Sequence, residues 1–196
     1  MCSTSRTHQK CRHIQRLYLQ GKEVDRIILY RIPKGGIPEC DIAEGTVIAA
    51  RVPIYGTKDA GRGFWLRLKE VVVEHGYTCN QILPTMFTLR KDGKIVGVMS
   101  SNVDDLLHGE LPGHEGVMKG ILDAFAVREE NEGEFRFCGK EVKQDDDYNI
   151  TVTAKDNTEK IRPIEIANGR KLTQKNTPEE TTALRSVTAS LAWVAR

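Results

Sequence analysis

The sequence predicts an α+β fold with a mainly antiparallel sheet packed on helices. Strand-like apolar runs outnumber helical segments, and several of them end at turns that contain glycine. Two runs are joined by an Asp-Gly turn, which is typical of an antiparallel hairpin. Strands and helices do not alternate as β-α-β units would, so the pattern argues against a parallel sheet.

Composition indicates a folded chain with a core of useful size. The protein has 196 residues, of which 39% are hydrophobic and 29% are charged. Such a balance excludes a disordered chain, and no apolar run reaches the ~18 residues of a membrane span. The 5 cysteines are odd in number and scattered. Reduced thiols in an intracellular protein without membrane contact are therefore expected, although cytoplasm and nucleus are not distinguished.

The first half of the chain contains two predicted strands and one clear helix. Residues 24–30 (VDRIILY) and 47–54 (VIAARVPI) are strand-like, and a PKGG turn follows the first. Residues 62–75 show apolar side chains at helical spacing, and Gly76 supplies the stop. The apolar face of this helix is formed by Phe64, Leu68, Val71 and Val72.

The second half begins with the clearest hairpin signal. Residues 86–90 and 94–103 are strand-like and flank Asp92-Gly93, which suits a tight primed turn. A helix is predicted where apolar residues recur between 117 and 125, followed by strands at residues 134–142 and 149–154.

The last predicted helix begins at a capping box. Thr177 can cap it, Pro178 suits its first position and Glu180 completes the box. The helix keeps an apolar face up to the last residues, which suggests a longer natural polypeptide.

Two adjacent carboxylates, Asp104 and Asp105, are the sharpest chemical feature. Neighbouring residues in a strand point to opposite faces, so both can reach one site only if the backbone turns there. Two ionised carboxylates ~4 Å apart repel by roughly 4 kcal/mol at an effective dielectric near 20. A proton or a cation must offset this repulsion, and two-metal phosphoryl transfer uses Mg²⁺ for that purpose. A solvated turn without any metal is the alternative interpretation.

Two other groups have metal-ligand chemistry. Zinc-type ligands crowd the N-terminus, but their spacing matches no common zinc finger, so a leader sequence is favoured. These ligands are Cys2, His8, Cys11 and His13. The run at residues 145–147 (DDD) lacks the glycine and the distal glutamate of a calcium-binding loop, so a solvated turn is favoured there.

Six short sequence blocks lie in one order over residues 14–196. Residues 103–107 (VDDLL), with Asn102 before them, resemble the YVDDLL signature of the copia-type reverse transcriptase family, in which a tyrosine takes the place of Asn102. Residues 55–62 (YGTKDAGR) resemble its YGLKQAPR block, and residues 18–23 (YLQGKE) resemble its FLNGE segment. The remaining three blocks are residues 32–35 (IPKG), 133–142 (GEFRFCGKEV) and 184–192 (LRSVTASLA).

The resemblance implies a reverse-transcriptase palm with partial fingers over residues 14–150 and an incomplete thumb or connection over 151–196. Residues 1–13 resemble nothing in the family and form an unmatched leader. Asp104 and Asp105 would be the catalytic carboxylates and the ligands of Mg²⁺, with Mn²⁺ as a substitute. Lys58 and Arg62 would lie near the template or the incoming nucleotide.

The implied reaction is RNA-directed DNA synthesis by two-metal nucleotidyl transfer. The implied partners are a template-primer of RNA or DNA, a deoxynucleoside triphosphate and the remainder of a Pol polyprotein.

Departures from the family pattern concern the same site. His13 stands where the family has a third metal-binding aspartate, and imidazole is a poor ligand for Mg²⁺. Asp59 replaces a glutamine and Gly61 replaces a proline in the block at residues 55–62. Two hypotheses follow: an active polymerase segment that needs the rest of a polyprotein, and a catalytically inactive remnant that at most binds nucleic acid.

Overall fold

The computed structural model describes residues 7–23, 25–166, 169, 171 and 173–195. The chain forms two compact units, and the division falls between Gly133 and Glu134. The family resemblance implied domain boundaries after residue 13 and after residue 150. In the structure, the first strand already begins at Lys10, and the two units divide after Gly133, seventeen residues before position 150. Within the described residues, no helix has the length and apolar character needed to cross a membrane.

The first unit contains eight strands and two helices of more than one turn among its described residues. The strands are β1 Lys10–Ile14, β2 Ile28–Arg31, β3 Val47–Ala50, β4 Tyr77–Cys79, β5 Met86–Lys91, β6 Lys94–Asn102, β7 Asp105–Glu110 and β8 Val127–Glu132. The helices are α1 Ala60–Glu74 and α2 Glu115–Asp123, with one-turn helices at Leu17–Gln20 and Pro38–Cys40. Six of the strands form one sheet in the order β4-β5-β6-β7-β1-β8, while β2 and β3 form a separate hairpin.

All neighbours in the six-stranded sheet pair antiparallel. The chain is therefore α+β with mostly antiparallel strands, and this part of the sequence prediction is confirmed. One strand from early in the chain, β1, lies between β7 and β8. That insertion brings residues near position 13 next to residues near position 105.

The core of this unit lies where α1 and α2 cover the sheet. Helix α1 buries the four apolar residues that the sequence predicted, together with Ala60. Helix α2 buries Met118 and Ile121, which are 2% and 0% exposed. Burial of a Met or Ile side chain stabilises the fold by roughly 1.5–3 kcal/mol relative to leaving that side chain exposed to water.

The hairpin of β5 and β6 forms around the predicted turn. Asp92 and Gly93 both have positive φ, 50° and 76°, as a primed two-residue turn requires. Across β4 to β7, the residues Tyr77, Leu89, Gly97 and Glu110 are successive partners in the strand register. They form one row on the helix-covered face of the sheet.

In the part of the second unit that the structure describes, there are a three-stranded antiparallel sheet and two helices. Its elements are β9 Glu134–Phe137, β10 Lys140–Gln144, β11 Ile150–Thr153, α3 Lys155–Thr158 and α4 Pro178–Val194. The predicted capping box of α4 is present, because Glu180 N donates to Thr177 Oγ1 at 3.2 Å and Thr177 N donates to Glu180 Oε2 at 2.7 Å.

One strand prediction was wrong, and one strand of the first unit was not predicted. Residues 134–142 were expected to form one strand, but Cys138 and Gly139 adopt positive φ and fold the segment into the hairpin of β9 and β10. Strand β8 was not predicted. Its sequence VREENE is mostly charged and carries no apolar alternation, so only its pairing with β1 makes it a strand.

Candidate metal centre

The two carboxylates lie at the turn between β6 and β7. Asn102 pairs with Asp105, so the loop consists of Val103 and Asp104, and Asp105 is the first residue of β7. Val103 has φ 54°, a conformation that is rare for a β-branched residue. The predicted turn is therefore present, one residue earlier than the Asp104-Asp105 pair itself.

Strand β1 places His13 against this turn. His13 is the register partner of Asp105, and Ile14 N donates to Asp104 O at 2.8 Å. The His13 Nδ1 atom lies 3.2 Å from Asp105 Oδ1 and 3.5 Å from Asp104 Oδ2. His13 thus meets two adjacent aspartates that lie more than ninety positions further along the sequence, at the end of the sheet.

The imidazole lies beside both carboxylates at a partly exposed point of the surface. The side chains of His13, Asp104 and Asp105 are 45%, 40% and 30% exposed, so water screens the charges. The His13 Nδ1 atom is within hydrogen-bond distance of Asp105 Oδ1. A protonated ring would donate there and would place a positive charge next to the two carboxylates without a metal.

The same three side chains are able to hold a metal ion. One ligand atom from each lies within 4.8 Å of the others, and no further group of three or more such residues occurs in the part of the chain that the structure describes. The donor set is one imidazole nitrogen and two carboxylate oxygens. Mg²⁺ strongly prefers oxygen ligands, whereas imidazole suits ions such as Zn²⁺. The residues present therefore fit Mg²⁺ only in part.

Lys58 and Arg62 lie where α1 begins, and both are exposed. The loop before them is positioned by a ring contact between Tyr55 and Tyr18, whose centroids are 4.7 Å apart. Among the described residues, no hydrogen bond or ion pair joins Lys58 or Arg62 to the His13 cluster. The structure thus brings the two aspartates together with His13, while Lys58 lies in the loop before α1 and Arg62 lies in the first turn of that helix.

Arg26 neutralises the unusual acid of that loop. Its Nη2 donates to Asp59 Oδ1 at 2.7 Å, and its Nε donates to Asp59 Oδ2 at 3.1 Å. This hydrogen bonding is the main reason why the pKa of Asp59 lies below its usual value. The negative charge of Asp59, which replaces the glutamine of the family pattern, is therefore paired with Arg26 within the chain.

The two alternative metal groups are not assembled as metal sites in the described residues. Cys2 lies outside the described residues, and Cys11 is a buried core residue of β1. Asp145 Oδ1 accepts from the backbone N of Asp147 at 3.0 Å and of Asn149 at 2.8 Å. That carboxylate closes a turn, and its pKa lies below the usual value, mainly because the side chain of Asn149 donates to it.

Sequence reasoning named His13 as a substitution for a metal-binding aspartate and as one of the N-terminal zinc-type ligands, but did not predict its contact with Asp105. The collinear blocks were the signal that aligned it with a metal ligand. A buried polar group formed by Tyr77, His108 and Glu110 was missed, because nothing in local sequence marks these three residues as neighbours.

Comparison of the chain with protein-family models and with curated proteins found no match. The functional interpretation therefore rests on the sequence blocks described above and on the geometry at His13.

Proposed function

We propose that this chain is a fragment of the reverse-transcriptase palm of a copia-type retrotransposon. Its reaction class is RNA-directed DNA synthesis by nucleotidyl transfer, and its partners are a template-primer and a deoxynucleoside triphosphate. We further propose that, by itself, the chain is a catalytically inactive remnant that retains contact with nucleic acid.

One observation carries this proposal. The residue that the motif alignment puts in the position of the missing aspartate, His13, lies 3.2 Å from one of the two signature carboxylates. The alignment used sequence order alone, and nothing in it required β1 to pair with β7. The coincidence supports a common origin of the three positions in one phosphoryl-transfer site.

The charge of the site argues against activity. Replacement of a carboxylate by imidazole removes one negative charge and one oxygen ligand from the cluster. Phosphoryl transfer depends on metals held against the charge of the triphosphate. A loss of ~4 kcal/mol in transition-state stabilisation lowers the rate roughly 10³-fold, since each 1.36 kcal/mol is about tenfold.

We expect no primer extension by the purified chain on an RNA template with a DNA primer, in either Mg²⁺ or Mn²⁺. The measurement is gel-resolved extension of a labelled primer at high protein concentration. The Asp104→Asn/Asp105→Asn variant is the matched control for contaminating polymerases. Extension that occurs with the intact chain and disappears in this variant would show that the site is active and that the remnant interpretation is wrong.

Template-primer binding tests the proposed partner. We expect salt-dependent binding in fluorescence anisotropy, because phosphate contacts release counterions. Lys58→Ala and Arg62→Ala should each weaken binding and reduce the slope of log K against log salt by about 1.

Lys91→Ala and Lys94→Ala, at the tip of the β5–β6 hairpin, remove the same charge elsewhere on the first unit and serve as controls. A selective loss at Lys58 and Arg62 supports a nucleic-acid surface at the start of α1. Equal losses in all four variants would mean non-specific charge attraction and would contradict the proposed surface.

A further inference from the structure

The His13 cluster lies on the face of the sheet opposite the one that the helices cover. In β7, buried side chains begin with Leu106 and alternate with less buried ones, the first of which is Asp105. Leu106 belongs to the core together with Met118 of α2. Because successive side chains of a strand point to opposite faces, Asp105 points away from that core. Its side chain is 30% exposed, so an ion can reach the carboxylate from solvent.

The three donor groups are positioned by the pairing of the strands. His13 and Asp105 are register partners of β1 and β7, and such cross-strand partners lie on one face with Cβ atoms about 4.5–5.5 Å apart. Asp104 lies in the turn before β7, where strand alternation does not direct its side chain to the other face. A hydrogen bond of 2.8 Å from Ile14 N to Asp104 O ties this turn to β1. The donors are thus held together before an ion binds, which lowers the ordering cost of binding.

The spacing of the donor atoms suits a tetrahedral ion better than an octahedral one. Ligands bound ~2.0–2.2 Å from a tetrahedral ion such as Zn²⁺ lie about 3.3–3.6 Å from one another. Ligands at right angles around Mg²⁺, bound at ~2.0–2.1 Å, lie only about 2.8–3.0 Å apart. His13 Nδ1 lies 3.2 Å from Asp105 Oδ1 and 3.5 Å from Asp104 Oδ2. Both distances exceed those between adjacent Mg²⁺ ligands and lie near the tetrahedral values.

The kinds of donor favour the same ion. Two carboxylates balance the charge of a divalent ion, and the third donor is an imidazole nitrogen. Imidazole suits Zn²⁺, whereas Mg²⁺ selects oxygen ligands and retains several waters. Three protein ligands leave one position of a tetrahedral ion for water, as in zinc sites with an open coordination position. The 45% exposure of the His13 side chain leaves space for that water.

We propose that His13, Asp104 and Asp105 form a binding site for a divalent transition-metal ion of the Zn²⁺ type. His13 is the residue that sets the preference for Zn²⁺ over Mg²⁺. The proposal rests on the donor atoms and their spacing, so it holds whether or not the chain descends from a polymerase. The competing interpretation is a protonated His13 ring that is hydrogen-bonded to the carboxylates and binds no metal.

Calorimetric titration of the full chain with Zn²⁺ and, separately, with Mg²⁺ tests this preference. It is carried out at mildly alkaline pH, because a metal binds the neutral imidazole. We expect the wild type to bind Zn²⁺ at least ~100-fold more tightly than Mg²⁺. His13→Ala should weaken Zn²⁺ binding by about tenfold or more and change Mg²⁺ binding by less than about twofold. His13→Asp should weaken Zn²⁺ binding and strengthen Mg²⁺ binding.

The matched control is His114→Ala, which removes an imidazole before α2 and keeps every cysteine that could bind Zn²⁺ elsewhere. It should leave both affinities unchanged. NMR of the histidine ring nitrogens gives a readout at the site itself, because Zn²⁺ should shift the His13 Nδ1 resonance in the wild type. Asp104→Asn, a change within an exposed turn, should reduce that shift and keeps the test decisive if a substitution at position 13 disturbs β1.

Equal Zn²⁺ affinities in the wild type, His13→Ala and His114→Ala would mean that the ion binds elsewhere and would overturn the proposal. A ratio of Zn²⁺ to Mg²⁺ affinity that His13→Asp leaves unchanged would also overturn it, because the imidazole would then have no part in selecting the ion.

Discussion

At the scale of single residues, Gly97 allows Tyr77 to reach Glu110. A Cβ atom at position 97 would lie 2.7 Å from Tyr77 Oη, which is closer than real contacts allow. The phenol ring therefore lies over the backbone of β6, and its hydroxyl meets the Glu110 carboxylate of β7 at 3.4 Å. A glycine in the middle of a strand, which normally weakens it, is explained here by close packing.

Burial, followed by the charge of Glu110, raises the pKa of Tyr77 above its usual value of 10.0. Because the folded protein holds this proton more tightly than the unfolded chain, the stabilisation is fully present below about pH 10 and is lost as the pH rises further. The free energy of unfolding should therefore fall more steeply above pH 10 in the wild type than in Tyr77→Phe. The difference in slope is at most ~1.4 kcal/mol per pH unit for one proton.

Urea denaturation at a series of alkaline pH values measures this difference. At neutral pH, Tyr77→Phe should cost ~1–3 kcal/mol, because Glu110 loses a buried hydrogen bond. Tyr55→Phe is the matched control, since Tyr55 is 62% exposed. Parallel pH profiles for the wild type and Tyr77→Phe would contradict the buried contact with Glu110.

At the scale of elements, the β6–β7 turn that carries the aspartates holds Val103 in an unfavourable backbone conformation. The left-handed conformation costs a residue with a Cβ roughly 1–2 kcal/mol, and Val103 is also β-branched. Its side chain is 57% exposed, so no burial compensates at this position. The register of β6 and β7, and the pairing of β7 with β1, maintain the turn.

Val103→Asn should raise the free energy of unfolding by about 1 kcal/mol, because asparagine tolerates positive φ. Urea denaturation measures the change. Ile95→Asn, at an exposed position of β6 without positive φ, is the control and should lower stability. A loss of similar size in both variants would show that Val103 is not strained.

How far the elements could be predicted depends on where their signal lies. The Asp92-Gly93 hairpin, the apolar face of α1 and the capping box of α4 are encoded by adjacent residues, and each was predicted. Strand β8 was not predicted, because it depends on pairing with the distant strand β1. The break at Cys138 was not predicted either, because a cysteine with positive φ is not indicated by the neighbouring sequence.

Only one part of the candidate site, the turn that carries the aspartates, could be predicted from local sequence. The turn at Asp104 and Asp105 follows from local sequence. Contact with His13 depends on β1, whose sequence KCRHI has no clear strand pattern and whose neighbours in the sheet come from far along the chain. Only the order of the family-like blocks pointed to position 13, and no physical rule in the sequence required it to meet Asp105.

At the scale of the whole molecule, the fold and the proposed origin are separate questions. The mixed, mostly antiparallel architecture is common to many functions, so it does not specify a polymerase. What distinguishes this chain is the convergence of one imidazole and two carboxylates at the end of a strand pair. The account therefore depends on whether position 13 is a former metal ligand.

Calorimetric titration with Mg²⁺ of the wild type and of His13→Asp tests that point most directly. The restored carboxylate adds an oxygen ligand and a negative charge beside Asp104 and Asp105, so Mg²⁺ affinity should rise by about tenfold, equivalent to ~1.4 kcal/mol. The control is His114→Asp, which makes the same change before α2, beyond the far end of β7 and roughly 20 Å away.

We expect a dissociation constant in the millimolar range or weaker for the wild type, equivalent to ~4 kcal/mol or less. We also expect tighter binding in His13→Asp that disappears when Asp104→Asn is added, and no gain in His114→Asp. Micromolar Mg²⁺ binding by the wild type that survives Asp104→Asn, or equal affinities in His13→Asp and His114→Asp, would contradict a metal site lost at position 13.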